Sequence, residues 1–179
     1  MKIVNVFDAV KDGSYDEFIA LYNGEINQIN DYTKLNLLLT AVVNDHNMDE
    51  KKKIIKFLIA NGIDINFKDE KSKRNALHTL YFNVMRGNAS YIYDITTILI
   101  ENGIDINAID KYESIPLKYA ITVNKLKTED MKDVYMYLLK NGSDYGHKDC
   151  FQKSCIDYAE EYSWRNDFNA IVKEYENAK

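Results

Sequence analysis

The chain has 179 residues, room for one domain or two small ones, and its 46% hydrophobic and 28% charged residues can build a core, which excludes intrinsic disorder. One proline and seven glycines exclude collagen-like and linker proteins, and argue against an all-β sandwich with its turn about every 8–12 residues. A net charge of −5 leaves no electrostatic footprint for nucleic acid, and two cysteines are too few for a disulfide framework.

In chain order, the N-terminal stretch Met-Lys-Ile-Val-Asn-Val-Phe-Asp reaches an acid before any apolar region of signal-peptide length develops. No window holds ~18 uninterrupted apolar residues. The chain is therefore expected to be soluble and cytoplasmic. Residues 1–31 read as a short helical unit: Val4 to Lys11, a break at Gly13, then Tyr15 to Asn23. Farther on, Lys51, Lys52 and Lys53 follow Asp49 and Glu50, a pattern that reads as a solvated helix start. Ile54, Ile55, Phe57, Leu58 and Ile59 then mark a broad apolar helical face, ended by the pair Asn61-Gly62. An alternating stretch (Ile63, Ile65, Phe67), a polar turn and a second helix from Ala76 to Phe82 come next. The single proline, Pro116, falls in the first turn of the corresponding later helix, where its missing N–H costs nothing.

The same grammar recurs. The decapeptide at 57–66, Phe-Leu-Ile-Ala-Asn-Gly-Ile-Asp-Ile-Asn, returns at 98–107 as Ile-Leu-Ile-Glu-Asn-Gly-Ile-Asp-Ile-Asn, and in degraded form at 137–146. A fainter copy ends at Gly24. The anchor glycines Gly24, Gly62, Gly103 and Gly142 stand 38, 41 and 39 residues apart, and an aspartate follows each by seven: Asp31, Asp69, Asp110 and Asp149.

This pattern resembles the ankyrin repeat. Asn75-Ala-Leu-His78 and Ile115-Pro-Leu-Lys118 stand where that family has Thr-Pro-Leu-His, with poorer versions beginning at Asn36 and Ser154. Gly62-Ile-Asp-Ile-Asn66 and Gly103-Ile-Asp-Ile-Asn107 match its Gly-Ala-Asp-Val-Asn stretch. The resemblance implies an all-α solenoid of five helix-turn-helix units, two of them caps, with hairpin-like turns. The whole chain, 1–179, is then one domain, with units near 1–31, 32–69, 70–110, 111–149 and 150–179. Two departures stand out. The period exceeds the family's ~33 residues, and the surplus falls between the two helices of each unit, at residues 44–49, 86–90 and 124–130. It forms either a ridge of loops on one face, possible as a binding edge, or a slight lengthening of the helices. After Gly24, the residues Glu25, Ile26 and Asn27 do not fit the Asp-x-Asn pattern.

Candidate catalysts are few. His46, His78 and His147 lie in different units without ligand spacing, and the resemblance gives His78 a structural role, a hydrogen bond to a neighbouring turn. Cys150 reads as an exposed thiol on a hairpin tip and Cys155 as packed. Asp64, Asp105 and Asp144, like the four aspartates of the turns, read as turn residues bonding their own backbone. No nucleotide-binding loop or hydrolase motif appears. No enzyme, cofactor or metal is expected. Trp164 is expected to seal the C-terminal end of the core, beside a last helix bearing Phe168, Ile171, Val172 and Tyr175 on one face.

The resemblance implies binding of a protein partner through a concave face of hairpin tips and first-helix ends. Carried over by position, the candidate contacts are Tyr32, Leu35, Glu70, Lys71, Arg74, Phe82, Lys111, Tyr112, Ser114, Phe151 and Tyr162, with Asn83 at the helix end beside Phe82. Aromatics offer large contact area at low entropy cost. About half of the five are expected to be exposed, with Phe82 packing between units. The excess of tyrosine, 14 residues, points to the same surface. The expected partner is a protein, with no nucleic acid or membrane, and the free chain is expected to be a monomer. One version of this function is immunity, the neutralising of a cognate toxin. The alternatives are a structural or regulatory scaffold subunit, or a host-directed viral or bacterial ankyrin protein.

Overall fold

The computed structural model describes residues 2–82 and 88–179. Among them the regular structure is helical, with one isolated antiparallel bridge between Ile29 and Asn36. The helices come in pairs: α1 (Val6–Asp12) with α2 (Tyr15–Leu21), α3 (Leu37–Ala41) with α4 (Met48–Ala60), α5 (Ala76–Tyr81) with α6 (Ala89–Glu101), α7 (Pro116–Thr122) with α8 (Lys132–Lys140), and α9 (Cys155–Glu161) with α10 (Phe168–Asn177). A short 3₁₀ turn, Ser163–Arg165, joins the last two. The first helices of successive pairs pack on one another, as do the second helices, so each pair touches its neighbours along the chain. The structure is a helical repeat.

Local chemistry sets the helix ends. Asn36, Asn75 and Ser154 cap first helices by accepting the backbone N–H three residues on, and Pro116 opens α7 without a side-chain cap. At the far end of each long second helix an Asn-Gly pair acts twice. The side-chain amides of Asn61, Asn102 and Asn141 donate back to the carbonyls of Phe57, Ile98 and Tyr137 at 2.7–2.9 Å. Gly62, Gly103 and Gly142 then take φ of +82° to +90°, and the next residue donates to a carbonyl five positions back. A Cβ at these glycines would meet nothing within 4 Å, so the positive φ, not crowding, requires glycine. The stretch after each glycine is a chain of turns, not a strand.

The core runs continuously between the two helix rows. Leu37, Leu38 and Leu39 are all fully buried because α3 is walled in by α1, α4 and α5. Ile54, Ile55 and Leu58 of α4 face them, each side chain contributing on the order of 1.5–3 kcal/mol by burial. Part of the surplus between paired helices lengthens α4 and α6 to 13 residues; the rest forms loops at 42–47 and 123–131. Residues 83–87 lie outside the described residues, and with them part of the surplus expected at 86–90 and the candidate contact Asn83.

Two expectations about charged and aromatic groups need correction. Lys51 is not a solvated residue: it is buried, and its ammonium donates to the Ala41 carbonyl at the end of α3, 3.1 Å away. Trp164 does not seal the core. It is 46% exposed and stacks on Tyr162, while its neighbour Arg165 is fully buried and donates to the carbonyls of Ile121, Asn124 and Leu126. Both buried cations sit where carbonyls after a first helix lack helical partners, at the negative end of the helix dipole.

One asparagine per unit ties consecutive pairs together. Asn66 donates to the Gly103 carbonyl (3.1 Å) and accepts from the Asp105 N–H (2.7 Å). Asn107 does the same with Gly142 and Asp144. Asn27, which the sequence pattern excluded, bonds Gly62 and Asp64 in the same way. The first turn is one residue shorter, so the equivalent asparagine follows its glycine by three rather than four. After α8 Gly146 holds this position and has no side chain to make the bond pair. Asn66→Ala is expected to cost about 1–2 kcal/mol in chemical denaturation, and Gly146→Asn less than about 0.5 kcal/mol.

Candidate protein-interaction surface

Each first helix is preceded by a hairpin turn braced by one side chain. Asp69 Oδ1 accepts from the N–H groups of Lys71 and Ser72 at 3.0 and 2.7 Å. Asp110 braces Tyr112 and Ser114, and Asp149 braces Phe151. In the first hairpin the brace is Asn30, bonding Tyr32 and Thr33; Asp31, the residue expected from spacing, is exposed. The one-residue deletion that moved Asn27 moves this position too. Lys34, Lys73, Glu113 and Gln152 close the four hairpins with φ of +57° to +59°. No glycine marks these left-handed positions, so sequence reading passed over them. The last three hairpins lie against one another: Lys111 N–H donates to Ser72 and Cys150 N–H to Tyr112, at 2.9 and 3.0 Å.

This register aligns the candidate contacts. The second residue after each brace is Tyr32, Lys71, Tyr112 and Phe151 in turn. Tyr32 is 95%, Phe151 63% and Tyr112 39% exposed. Glu70, Lys71 and Lys111 are exposed beside them, with the Lys111 ammonium 5.0 Å from the Tyr112 ring centre. Phe82 both packs and remains open: its ring lies edge-on to Tyr119, yet it is 45% exposed. Tyr162 is half-buried. Four of the five aromatics are thus exposed, more than expected. Ser114 does not belong to the surface. It is buried, its N–H donates to Asp110, and its carbonyl accepts from His78, so its polar backbone is satisfied inside the molecule.

The broader tyrosine reading is also corrected. Of 14 tyrosines only Tyr32 and Tyr112 are exposed. Several others brace the interior through their hydroxyls, as Tyr81 does to Thr96 and Tyr135 to the Ala120 carbonyl. Tyr119 and Tyr158 donate to the hairpin carboxylates Asp110 and Asp149. Burial and the bond to Asp110 push the Tyr119 phenol up to about 12, so it stays a donor at neutral pH.

Those two tyrosines divide the surface. The equivalent residues of α3 and α5 are Thr40 and Thr79. Hairpins one residue longer precede these threonines; the shorter hairpins place their carboxylates within reach of a tyrosine. Beside α7 and α9 the surface is filled by Tyr119 and Tyr158, with Lys118 against both rings at 4.7 and 5.2 Å. Beside α3 and α5 it is open. Two adjoining depressions share Leu35 and Val43; one continues to Phe7 and Thr40, the other to Arg74, Thr79 and Phe82.

No protein-family model matches the chain. Over 107 residues, 60% of its length, it is 34% identical to a fowlpox virus (strain NVSL) protein described by name as an ankyrin repeat protein. This similarity supports an ankyrin-repeat family. The matched stretch is 21% of that relative, so the chain spans about one fifth of the relative's length.

The chemistry-bearing side chains are occupied by structure. Among the described residues no group of three or more His, Cys, Asp or Glu is arranged to hold a metal ion, and no helix is long and apolar enough to cross a membrane. Cys150 is exposed and Cys155 buried, as expected. His46 is exposed and bonds Asp12 at 2.8 Å, and His147 donates to the Glu113 carbonyl at 2.7 Å. His78 is buried; Nε2 donates to the Ser114 carbonyl (2.9 Å) while Nδ1 accepts the Asn75 N–H. It thus ties its own helix cap to the next hairpin, the role that the resemblance implied.

Burial holds the His78 imidazole at a pKa of about 4, below its ordinary 6.5, although the Ser114 bond opposes this. Between those values the unfolded chain takes up a proton that the folded chain refuses. Stability should therefore fall as pH drops from 6.5 towards 4, by about 2 kcal/mol at pH 5. Asp69 and Asp149 are held below their ordinary 3.8, so their protonation acts only at lower pH. Denaturation midpoints at pH 7 and 5 should differ for the native chain and nearly coincide for His78→Gln.

Proposed function

We propose that the chain is an ankyrin-type solenoid, one domain over residues 1–179, that serves as a non-catalytic protein-interaction module. The observation that carries this reading is the exposed aromatic row at one hairpin register, Tyr32, Tyr112 and Phe151. Large aromatic side chains left in water cost free energy that a partner surface recovers, and such residues dominate binding energy at protein interfaces. Lys71 and Lys111 flank the row and would fix register and raise the association rate. A continuous helical scaffold, tied unit to unit, holds the tips at fixed separations and limits the ordering cost on binding.

The similarity to a viral ankyrin repeat protein supports the interaction reading at the level of family. It lends no support to a toxin-neutralising role, and no residue on the hairpin row favours that role over a scaffold or host-directed one. The free chain is proposed to be monomeric, with the partner-facing tips open to solvent.

Affinity selection with the full chain tests the proposal. Proteins retained by the native chain should be lost, with affinity reduced at least about tenfold, from the double variant Tyr112→Ala, Phe151→Ala. Its thermal transition should remain within a few degrees of the native one, because both rings are exposed. Undiminished retention by a folded double variant overturns the assignment of this surface.

A further inference from the structure

Arg74 is held by two aromatic rings and a carboxylate, as Lys118 is, but of the two it is the planar, forked donor. Arg74 lies against the rings of Phe82 and Tyr119, its guanidinium carbon 3.7 and 4.7 Å from their centroids. Nε donates to Asp110 at 3.4 Å and Nη2 to the Tyr119 hydroxyl at 3.2 Å. Nη1 has no hydrogen-bond partner among the described residues. By contrast, Lys153 ends on Glu161, and Lys118 on Ser114 and Asp149. Arg74 also lines the open depression, whose walls include the apolar side chains of Leu35, Val43 and Phe82.

Immobilising an arginine ordinarily costs side-chain entropy on binding. Here the two rings and Asp110 already hold the side chain, so a partner meets a fixed planar donor. Its own hairpin and the next, residues 68–74 and 110–114, carry five cations, Lys68, Lys71, Lys73, Arg74 and Lys111, against the four carboxylates Asp69, Glu70, Asp110 and Glu113, in a chain of net charge −5. The local excess is positive where the whole molecule is negative.

We infer that Arg74 is the anchor of a carboxylate-selective subsite. It takes an Asp or Glu side chain of a partner protein through Nη1, while an adjacent apolar side chain of the same segment fills the depression between Leu35, Val43 and Phe82. This rests on the interaction-module reading and adds the chemistry of the partner to it. The guanidinium–carboxylate geometry supplies direction. The Thr79 side of the depression supplies space, since the residue equivalent to Thr79 in the next unit is Tyr119, which fills the corresponding site.

The test is selection of a random-peptide display library on the full 179-residue chain at physiological salt. Enriched peptides should carry Asp or Glu beside a Leu, Ile, Val, Met or Phe, and synthetic copies should lose at least about tenfold in affinity on Arg74→Gln. Should Arg74→Gln shift the melting transition, Val43→Glu serves instead. It places a competing carboxylate in the depression and should abolish binding of the same acidic peptides. Peptides without acidic enrichment, or acidic peptides unaffected by both variants, overturn the subsite. If such peptides are instead displaced by Tyr112→Ala, the interaction reading stands and only the subsite fails. Binding of single-stranded poly-uridine that competes for Arg74 also overturns it, since the site would then select phosphate.

Discussion

The bond pair made by one asparagine in each turn is the constraint on which the rest depends. Asn27, Asn66 and Asn107 each join a carbonyl and an N–H of the following unit, where no strand exists to do so. The first helices are five to seven residues long, far below the ~12–15 residues at which an isolated helix becomes marginal in water. They persist because neighbouring units bury their faces, and the asparagines set the register in which that burial occurs. A His78-to-Ser114 bond repeats the principle one layer deeper. Repetition of such links makes stability a property of adjacent pairs rather than of any single helix pair.

From this register follows the asymmetry of the surface. Asn30 and Asp69 open hairpins one residue longer than those of Asp110 and Asp149. In the longer hairpin Asp69 is satisfied by Ser72 and by the turn's own N–H groups. In the shorter ones a phenol from the first helix supplies the last bond. Hairpin length and the face residue change together: threonine follows the longer hairpins, where the face is open, and tyrosine the shorter ones, where it is filled. Arg74 sits at the boundary, stacked on the tyrosine of one regime and facing the open side of the other.

The connections after α3 and α7 are anchored as well. Lys51 of α4 donates to the last carbonyl of α3, and Arg165 of the 3₁₀ turn donates to Ile121 in the last turn of α7 and to Asn124 and Leu126 just beyond it. A buried cation is costly without partners, and here several carbonyl dipoles replace water. Lys51 thereby ties α4 to α3 of its own pair, and Arg165 ties the last pair to the loop of the pair before it.

Much of this was legible in the sequence. The Asn-Gly pairs announced helix ends, because only glycine takes the left-handed position without penalty, and the helical spacing of Ile54, Ile55 and Leu58 announced a buried face. The repeat placed Tyr32, Tyr112 and Phe151 on hairpin tips. What the sequence concealed was decided by partners remote along the chain. The role of Asn27 rests on atoms of Gly62 and Asp64, so its motif looked broken until the missing residue could be seen in three dimensions. Lys51 read as a surface cation, and Arg165 drew no reading, because their acceptors are backbone carbonyls, which carry no sequence signal. Trp164 read as core because size and apolarity suggest burial, yet at that end it is Arg165 and Phe168 that are buried. Sequence alone determined the repeat, the helix ends and the tip residues, since these depend on local backbone preference and periodicity. Tertiary structure alone decided which tyrosines face water and how Arg74 is held, since both depend on contacts across units that no local pattern records.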